Sequence, residues 1–151
     1  MCQGGAVSDD DLPFLLLAAG NAVVESVQSA MQAHGFEDIR PAHGFAFVRI
    51  SGPGCTLVDL AEHMGMTKQS TSTLVAELER KGYVARSPHP LDGRAFLIQL
   101  TERGVAATVA ATEATSGVVR RWRRELGAGH VEALTADLRV IAREGRVRPT
   151  W

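Results

Sequence analysis

Apolar side chains recur every three or four positions in the first part of the chain, which is the spacing of one face of an α-helix. The spacing predicts a helix from Asp11, with Pro13 tolerated in its first turn and Gly35 ending it. A second helix is predicted to begin near Pro41 and to give way to a Ser-Gly-Pro-Gly turn at residues 51–54. The chain therefore opens with two helices.

Two short helices with matching caps are predicted in the middle of the chain. Thr56, followed by Asp59 three residues later, forms a capping box, and Gly65 should break the first of these helices. Thr67 caps the second helix, and Gly82 should stop it in the left-handed conformation. The predicted inward faces comprise Leu57, Leu60, Ala61 and Met64 in the first helix and Leu74, Val75 and Leu78 in the second. Two caps on either side of a short turn fix the angle between the helices.

A β-hairpin and two further helices complete the predicted order. Residues 83–86 and 95–100 have the pattern of short strands, and the Pro-rich segment between them is predicted to be a long, exposed loop over 87–93. Thr101 caps a long helix, and after Gly127 a final helix follows. The predicted apolar faces comprise Val105, Val109, Thr112, Ser116, Val119 and Leu126 in the long helix and Val131, Leu134, Leu138 and Ile141 in the last. The predicted fold class is therefore mainly α with a small β-hairpin.

The segment at residues 56–84 has the pattern of a helix-turn-helix motif. Ala61 is small enough to let the two helices approach, Gly65 makes the turn, and Met66 fills the gap between them. The N-terminal half of the second helix then presents polar side chains where a recognition helix meets base edges. These candidates for DNA contact are Thr67, Lys68, Gln69, Ser70, Ser72 and Thr73. Glutamine can pair with adenine, lysine with guanine, and hydroxyl groups with phosphates or base edges.

The charge of the chain requires any DNA-binding face to be local. The 16 Lys and Arg residues stand against 17 Asp and Glu residues, which gives a net charge of -1. The molecule as a whole therefore has no general attraction for nucleic acid. Two basic residues precede position 51 against six acidic ones, so the positive charge lies in the later part of the chain.

The cysteines and the other reactive side chains indicate neither a cofactor nor an enzyme. Cys2 and Cys55 form no CxxC pair and no signal-peptide pattern precedes them, which is typical of a protein of the reducing cytoplasm. The longest apolar run, residues 14–19, is far shorter than the roughly 20 residues needed to cross a bilayer, so no membrane span is expected. No two histidines stand at i, i+4, and a Gly-rich phosphate cradle and a nucleophile elbow are lacking. We expect a non-enzyme without a metal or cofactor.

A basic cluster, Arg-Arg-Trp-Arg-Arg at residues 120–124, lies late in the predicted long helix. Such a cluster can contact DNA. It is more often a solvated face or a complement to the negative end of the helix dipole. We therefore predict that it does not form the main DNA-binding surface.

The helix-turn-helix segment resembles the DNA-binding half of the MarR family of transcriptional regulators, and the similarity extends from about residue 11 to residue 144. Asp92-Gly93-Arg94 matches the Asp-x-Arg wing motif of that family. The resemblance implies that Arg94 reaches the minor groove while Asp92 orients it, and Arg86 is a further candidate for DNA contact. Family members often have a basic residue at the position of Gly93 and an arginine at that of Thr73, so phosphate contacts are expected to be fewer here.

The same resemblance implies a domain organisation and a mode of action. Residues 1–10 would form a flexible tail and residues 11–151 a single domain. Within it, the winged helix-turn-helix would span about 39–100, and dimerisation helices about 11–34 and 101–144. The expected protein is a cytoplasmic repressor that binds a palindromic stretch of double-stranded operator DNA as a homodimer.

An effector pocket is also implied, between the dimerisation helices and the winged domain. It would take a small, often aromatic or phenolic molecule, with His43 and Phe47 at its border. Two alternatives stay open: a redox- or metal-responsive regulator of the same fold, and a winged helix that binds other proteins. The redox alternative depends on Cys55, which lies just before a helix N-terminus and could have a lowered thiol pKa.

Overall fold

The computed structural model of the chain describes residues 11–142. The predicted flexible tail, Cys2 and the last two positions of the predicted dimerisation region lie outside the described residues. The elements in chain order are α1 (Asp11–Ala33), α2 (Pro41–Ile50), α3 (Leu57–Met64), α4 (Lys68–Arg80), β1 (Val84–Pro88), β2 (Phe96–Leu100), α5 (Glu102–Leu126) and α6 (Ala128–Ile141). The predicted fold class, mainly α with one β-hairpin, is confirmed.

The caps that the sequence predicts around α3 and α4 are all present. The backbone N–H of Thr56 donates to the Asp59 carboxylate at 3.0 Å, and the Asp59 N–H donates back to the Thr56 hydroxyl at 3.2 Å. Gly65 ends α3 with a φ of 61°, and the Thr67 hydroxyl accepts from the backbone of Ser70 at 3.1 Å. These local bonds satisfy backbone donors that a helix start leaves free, which fixes where both helices begin.

The hairpin is longer than predicted on its first strand. β1 and β2 are antiparallel, with Val84 opposite Leu100 and Pro88 opposite Phe96. Pro88 was expected in the loop, yet it is the last residue of β1, where the N–H that proline lacks is not needed for the ladder. The loop between the strands therefore comprises residues 89–95, which is as long as the predicted 87–93 but shifted by two positions.

A short backbone bridge attaches the start of the helix-turn-helix to the hairpin. The N–H of Cys55 donates to the carbonyl of Ile98 at 3.1 Å, and the Ile98 N–H donates back at 2.8 Å. Gly54 precedes this bridge with a φ of 88°, and a Cβ there would lie 2.5 Å from the Ile98 carbonyl oxygen. Glycine is therefore required at position 54 for the segment to approach β2.

The hydrophobic core lies between the helix-turn-helix, the hairpin and the first half of α5. Its largest fully buried side chains include Tyr83, Ile50, Leu60 and Leu78. The buried stripe of α5 differs from the predicted one, because it consists of small residues and Val118 while Val105 and Val109 are about half exposed. The buried positions of α5 are Gly104, Ala107, Ala110 and Val118. Small residues allow α5 to approach its neighbours closely, which a pattern of large apolar residues does not reveal.

The N-terminal half of α1 exposes a patch of large apolar side chains. These are Leu12, Phe14, Leu15, Leu16 and Leu17. Within residues 11–142, α1 is also the one helix long and apolar enough to cross a membrane by length and composition. Our expectation of no membrane span considered only the longest uninterrupted apolar run and not the composition of the whole helix. Core helices of soluble proteins and signal sequences have the same length and composition, so α1 is weak evidence for a membrane span.

Candidate nucleic-acid interface and cavity

Helix α4 has one buried face and one polar, exposed face. Thr71, Leu74, Val75 and Leu78 are buried against the core. On the other side, the predicted contact residues Lys68, Gln69, Ser70 and Thr73 are exposed together with Thr67, whereas Ser72 is half-buried. The core thus fixes the rotation of α4 so that one row of hydrogen-bonding side chains faces outward.

The hydroxyl groups on this face are engaged within the helix, whereas two longer side chains are not. The Thr67 hydroxyl donates to the Ser70 hydroxyl at 2.9 Å, and the Thr73 hydroxyl donates to the carbonyl of Gln69 at 3.1 Å. Within residues 11–142, the Lys68 ammonium and the Gln69 amide form no hydrogen bond or ion pair with another residue. Lys68 and Gln69 are therefore the groups on this face of α4 that are most available to a ligand.

The hairpin tip holds Arg94 through the backbone. The Asp92 carboxylate accepts from the N–H of Arg94 at 3.0 Å, and the Asp92 carbonyl accepts from Ala95 at 3.0 Å. The Arg94 side chain is exposed and has no ion-pair partner among the described residues. Asp92 therefore shapes the turn from which an unoccupied guanidinium extends.

Arg86, the remaining predicted contact residue, already has a partner. Its Nε lies 3.4 Å from a carboxylate oxygen of Glu79 on α4, and both side chains are about 40% exposed. An exposed pair of this kind contributes little to stability, so its partners exchange readily. Arg86 can therefore turn to a phosphate by leaving Glu79, or contact one with the guanidinium N–H groups that do not face Glu79.

A cavity of about 640 Å³ lies between α1, α2 and α5. Phe47 lines it as predicted, but His43 does not. The walls combine the apolar residues Val23, Val24, Val27, Met31, Ile39, Pro41, Phe45, Phe47, Val48, Ala107, Ala111 and Val119 with the polar residues Gln28, Arg40, Thr108, Thr112, Thr115, Ser116, Arg120 and Arg123. Part of the predicted apolar face of α5 thus borders a cavity and does not pack in the core.

His43 is fully buried between α2 and α4. Its Nδ1 accepts from the backbone N–H of Arg40 at 3.1 Å, and its Nε2 lies 3.7 Å from a carboxylate oxygen of Glu77. Burial, followed by the charges of Lys81 and Arg40, lowers the pKa of His43 from 6.5 to about 4. The imidazole is therefore neutral at pH 7. Its Nε2 also lies 3.2 Å from the Arg40 guanidinium, so both ring nitrogens face Arg40.

The lowered pKa of His43 predicts a loss of stability in mild acid. Between pH 6.5 and 4 the unfolded chain binds a proton that the folded protein excludes, so the free energy of unfolding falls as the pH falls through this window. We expect a decrease of about 2 kcal/mol from pH 7.5 to pH 5, measured by urea denaturation. The His43→Gln variant, which has no titrating ring, should show a clearly flatter dependence, and an unchanged slope would contradict the assignment.

A second polar cluster, which the sequence analysis missed, joins three distant parts of the chain. The Tyr83 hydroxyl donates to the Asp38 carboxylate at 2.6 Å and accepts from the Arg103 guanidinium at 3.0 Å. Chiefly because of the hydrogen bond from Tyr83, the pKa of Asp38 is lowered. No local pattern connects positions 38, 83 and 103, so only the fold reveals that this cluster ties the α1–α2 loop to α5.

The structure does not favour a redox or metal switch within the described residues. Cys55 is only 2% exposed, and burial raises the pKa of its thiol, which is opposite to the lowered pKa on which the redox alternative depends. A reactive cysteine needs an accessible thiolate. Between residues 11 and 142, no group of three or more His, Cys, Asp or Glu side chains could hold a metal ion.

Comparisons with known sequences agree with the helix-turn-helix and hairpin geometry. The sequence model described as the MarR family matches residues 40–95. The HTH-type transcriptional repressor Rv2887 of Mycobacterium tuberculosis is 31% identical over 104 residues, which cover 68% of this chain and 72% of that protein.

Solved structures match nearly the whole chain. RV1404 from Mycobacterium tuberculosis is 25% identical with a TM-score of 0.76, and the match covers 93% of this chain and 97% of that one. CouR from Rhodococcus jostii RHA1, bound to p-coumaroyl-CoA, is 27% identical with a TM-score of 0.70, and the match covers 95% of this chain and 100% of that one. The chain therefore belongs to the MarR family and is a DNA-binding transcriptional regulator, not an enzyme.

Proposed function

We propose that the protein is a cytoplasmic repressor that binds a palindromic operator as a homodimer and releases it when a small molecule occupies the cavity. The observation that carries this proposal is the exposed polar face of α4, combined with an Arg94 side chain that has no protein partner within residues 11–142. The relative Rv2887 is named a transcriptional repressor, which supports the proposal that this protein represses transcription.

The DNA contacts follow from the placement of these side chains. α4 would enter the major groove, where Lys68 and Gln69 can read base edges and the hydroxyls of Thr67, Ser70 and Thr73 can exchange their internal bonds for phosphates. Half-buried Ser72 can contribute only at the rim of this surface. Arg94 would enter the adjacent minor groove from the turn that Asp92 fixes, and Arg86 would leave Glu79 for a phosphate.

A second copy of the chain is the proposed partner of the apolar patch on α1. That patch, together with half-exposed Leu126 on α5 and Val140 and Ile141 on α6, gives a lone subunit more exposed apolar surface than is usual. The dimerisation region would thus comprise residues 11–34 and 101–144. A two-fold axis would place the two α4 helices roughly 34–36 Å apart, one turn of the duplex.

The cavity is the proposed effector site. It lies between helices of the proposed dimerisation region and α2, so an occupant touches both parts of the subunit. The structure of CouR bound to p-coumaroyl-CoA is a precedent for a ligand in a related regulator. Phe47 would contact the effector, whereas buried His43 would not.

Loss of the charged contacts should weaken DNA binding. An operator can be selected from a pool of random duplexes, and affinity measured by fluorescence anisotropy across a range of salt concentrations. We expect Arg94→Ala and Lys68→Ala each to weaken the free energy of DNA binding by about 1–3 kcal/mol, or to reduce the salt dependence of the affinity by about one phosphate contact.

The matched control is Arg49→Ala, which removes an arginine of α2 that lies 3.8 Å from the Asp59 carboxylate and is neither an assigned DNA contact nor part of the proposed dimerisation region. Its affinity should stay within about twofold of the original protein. If no duplex is enriched at low salt, the proposed function fails. If Arg94→Ala and Lys68→Ala both bind like the control, the assigned contacts fail.

A further inference from the structure

Arg40 belongs to the cavity and to the support of α4 at the same time. It is a lining residue of the cavity, at the N-terminal end of α2. Its guanidinium also donates to the carboxylate of Glu77 on α4. The Arg40 side chain is 60% exposed and that of Glu77 24% exposed, so the cation of this pair is accessible from outside.

The charges around the cavity favour an anionic occupant. Three arginines, Arg40, Arg120 and Arg123, belong to its lining, and among the described residues no carboxylate does. The remaining walls are mostly apolar, with a row of hydroxyl groups along α5. These hydroxyls donate to backbone carbonyls one turn earlier, at 2.9 Å for Thr108, Thr112 and Thr115. The arginines are therefore the main donors that can pair with an anionic group.

We infer that Arg40 couples the cavity to the recognition helix: an apolar ligand with an anionic group competes with Glu77 for the Arg40 guanidinium and so frees α4 from α2. This inference rests on the proposed function, because it supplies the route by which an occupied cavity reaches the DNA-binding surface. It also specifies the effector as an amphipathic anion. The free and occupied states differ in the partner of one arginine, which gives the ligand the differential contact that a population shift requires.

The contacts of Glu77 keep the free-energy cost of this exchange of partners low. Lys81, one turn later on the same chain segment, lies 2.8 Å from the other carboxylate oxygen of Glu77, so the carboxylate keeps a cation when Arg40 leaves. His43 then supplies the remaining link between α2 and Glu77, and its Nε2 is 3.7 Å away. Departure of Arg40 thus weakens the attachment of α4 without leaving an isolated buried charge.

Substitutions test the resting pair without any ligand. Arg40→Gln and Glu77→Gln should each lower the affinity for the selected duplex by about fivefold or more, and the double variant should be no weaker than the weaker single one. Arg49→Gln is the matched control, because Arg49 is also on α2 and lies 3.8 Å from a carboxylate, that of Asp59 on α3, but it does not line the cavity. Its affinity should change by no more than about twofold.

A charged probe and its neutral counterpart test the competition. 2-Naphthoate should bind the protein in calorimetry and lower its DNA affinity by about fivefold or more, whereas 2-naphthamide should not. Arg40→Gln should lose this response, and Arg40→Lys, which keeps a cation for both partners, should restore part of it. A residue with a purely structural role would not separate the two probes.

The outcomes distinguish this inference from the proposed function. Absence of binding to any duplex overturns both. DNA binding together with an Arg40→Gln variant that responds to naphthoate as strongly as the original protein overturns only the coupling through Arg40. Naphthoate that does not bind, or that binds no better than naphthamide, overturns the anionic character of the site.

Discussion

Replacing Gly104 by alanine is expected to destabilise the protein by about 3 kcal/mol or more, although alanine is the better helix former. Gly104 lies in the first turn of α5, and a Cβ there would lie 2.1 Å from the carbonyl oxygen of Tyr83. That carbonyl also accepts from the N–H of Thr101 at 3.0 Å, so it cannot move without breaking the junction between the hairpin and α5. The thermal midpoint should fall by about 6–12 °C, measured by calorimetry at fixed protein concentration.

The control for Gly104 lies on the same helix. At Gly117 an added Cβ would meet only the flexible end of Arg120, at 3.7 Å. Gly117→Ala should therefore gain about 0.5–1 kcal/mol from helix propensity. A Gly104→Ala protein as stable as the original would show that α5 does not pack against Tyr83 as described.

Local sequence chemistry was sufficient to predict the helix-turn-helix and its exposed face. Thr56, Gly65 and Thr67 act through hydrogen bonds and backbone angles within four residues, so their roles can be inferred without a tertiary structure. The apolar spacing at Leu74 and Leu78 then fixed which side of α4 is buried. The candidate DNA-contact residues followed as the polar side chains on the opposite face.

Contacts between distant segments could not be predicted in the same way. His43 looked like a pocket residue because it stands on a helix beside Phe47, but the fold turns it toward Glu77 on α4. The buried stripe of small residues on α5 was not predicted, because hydrophobic periodicity is judged mainly from large apolar side chains. Ala107 and Ala110 contribute little to that pattern. The coupling proposed for Arg40 likewise depends on a contact between residues 37 positions apart.

The α1 patch is expected to control both assembly and DNA binding. Phe14 and Leu17 are 72% and 66% exposed and stand three residues apart, on neighbouring positions of one helix face. In the double variant Phe14→Glu/Leu17→Glu, two carboxylates would have to be buried in the proposed interface, so we expect a monomer in sedimentation velocity. Loss of the second half-site contact should then weaken operator binding by about a hundredfold or more.

The control adds a single carboxylate elsewhere on the helix. Gln32→Glu places a carboxylate at an exposed position near the C-terminal end of α1, away from the patch, and should leave both the dimer and its DNA affinity intact. The expected monomer should keep the folded core, because no residue of α1 before Val27 belongs to the core cluster or packs against it. A double variant that stays dimeric, with full affinity for the operator, would show that this patch is not the subunit interface and would leave its exposed leucines for another partner.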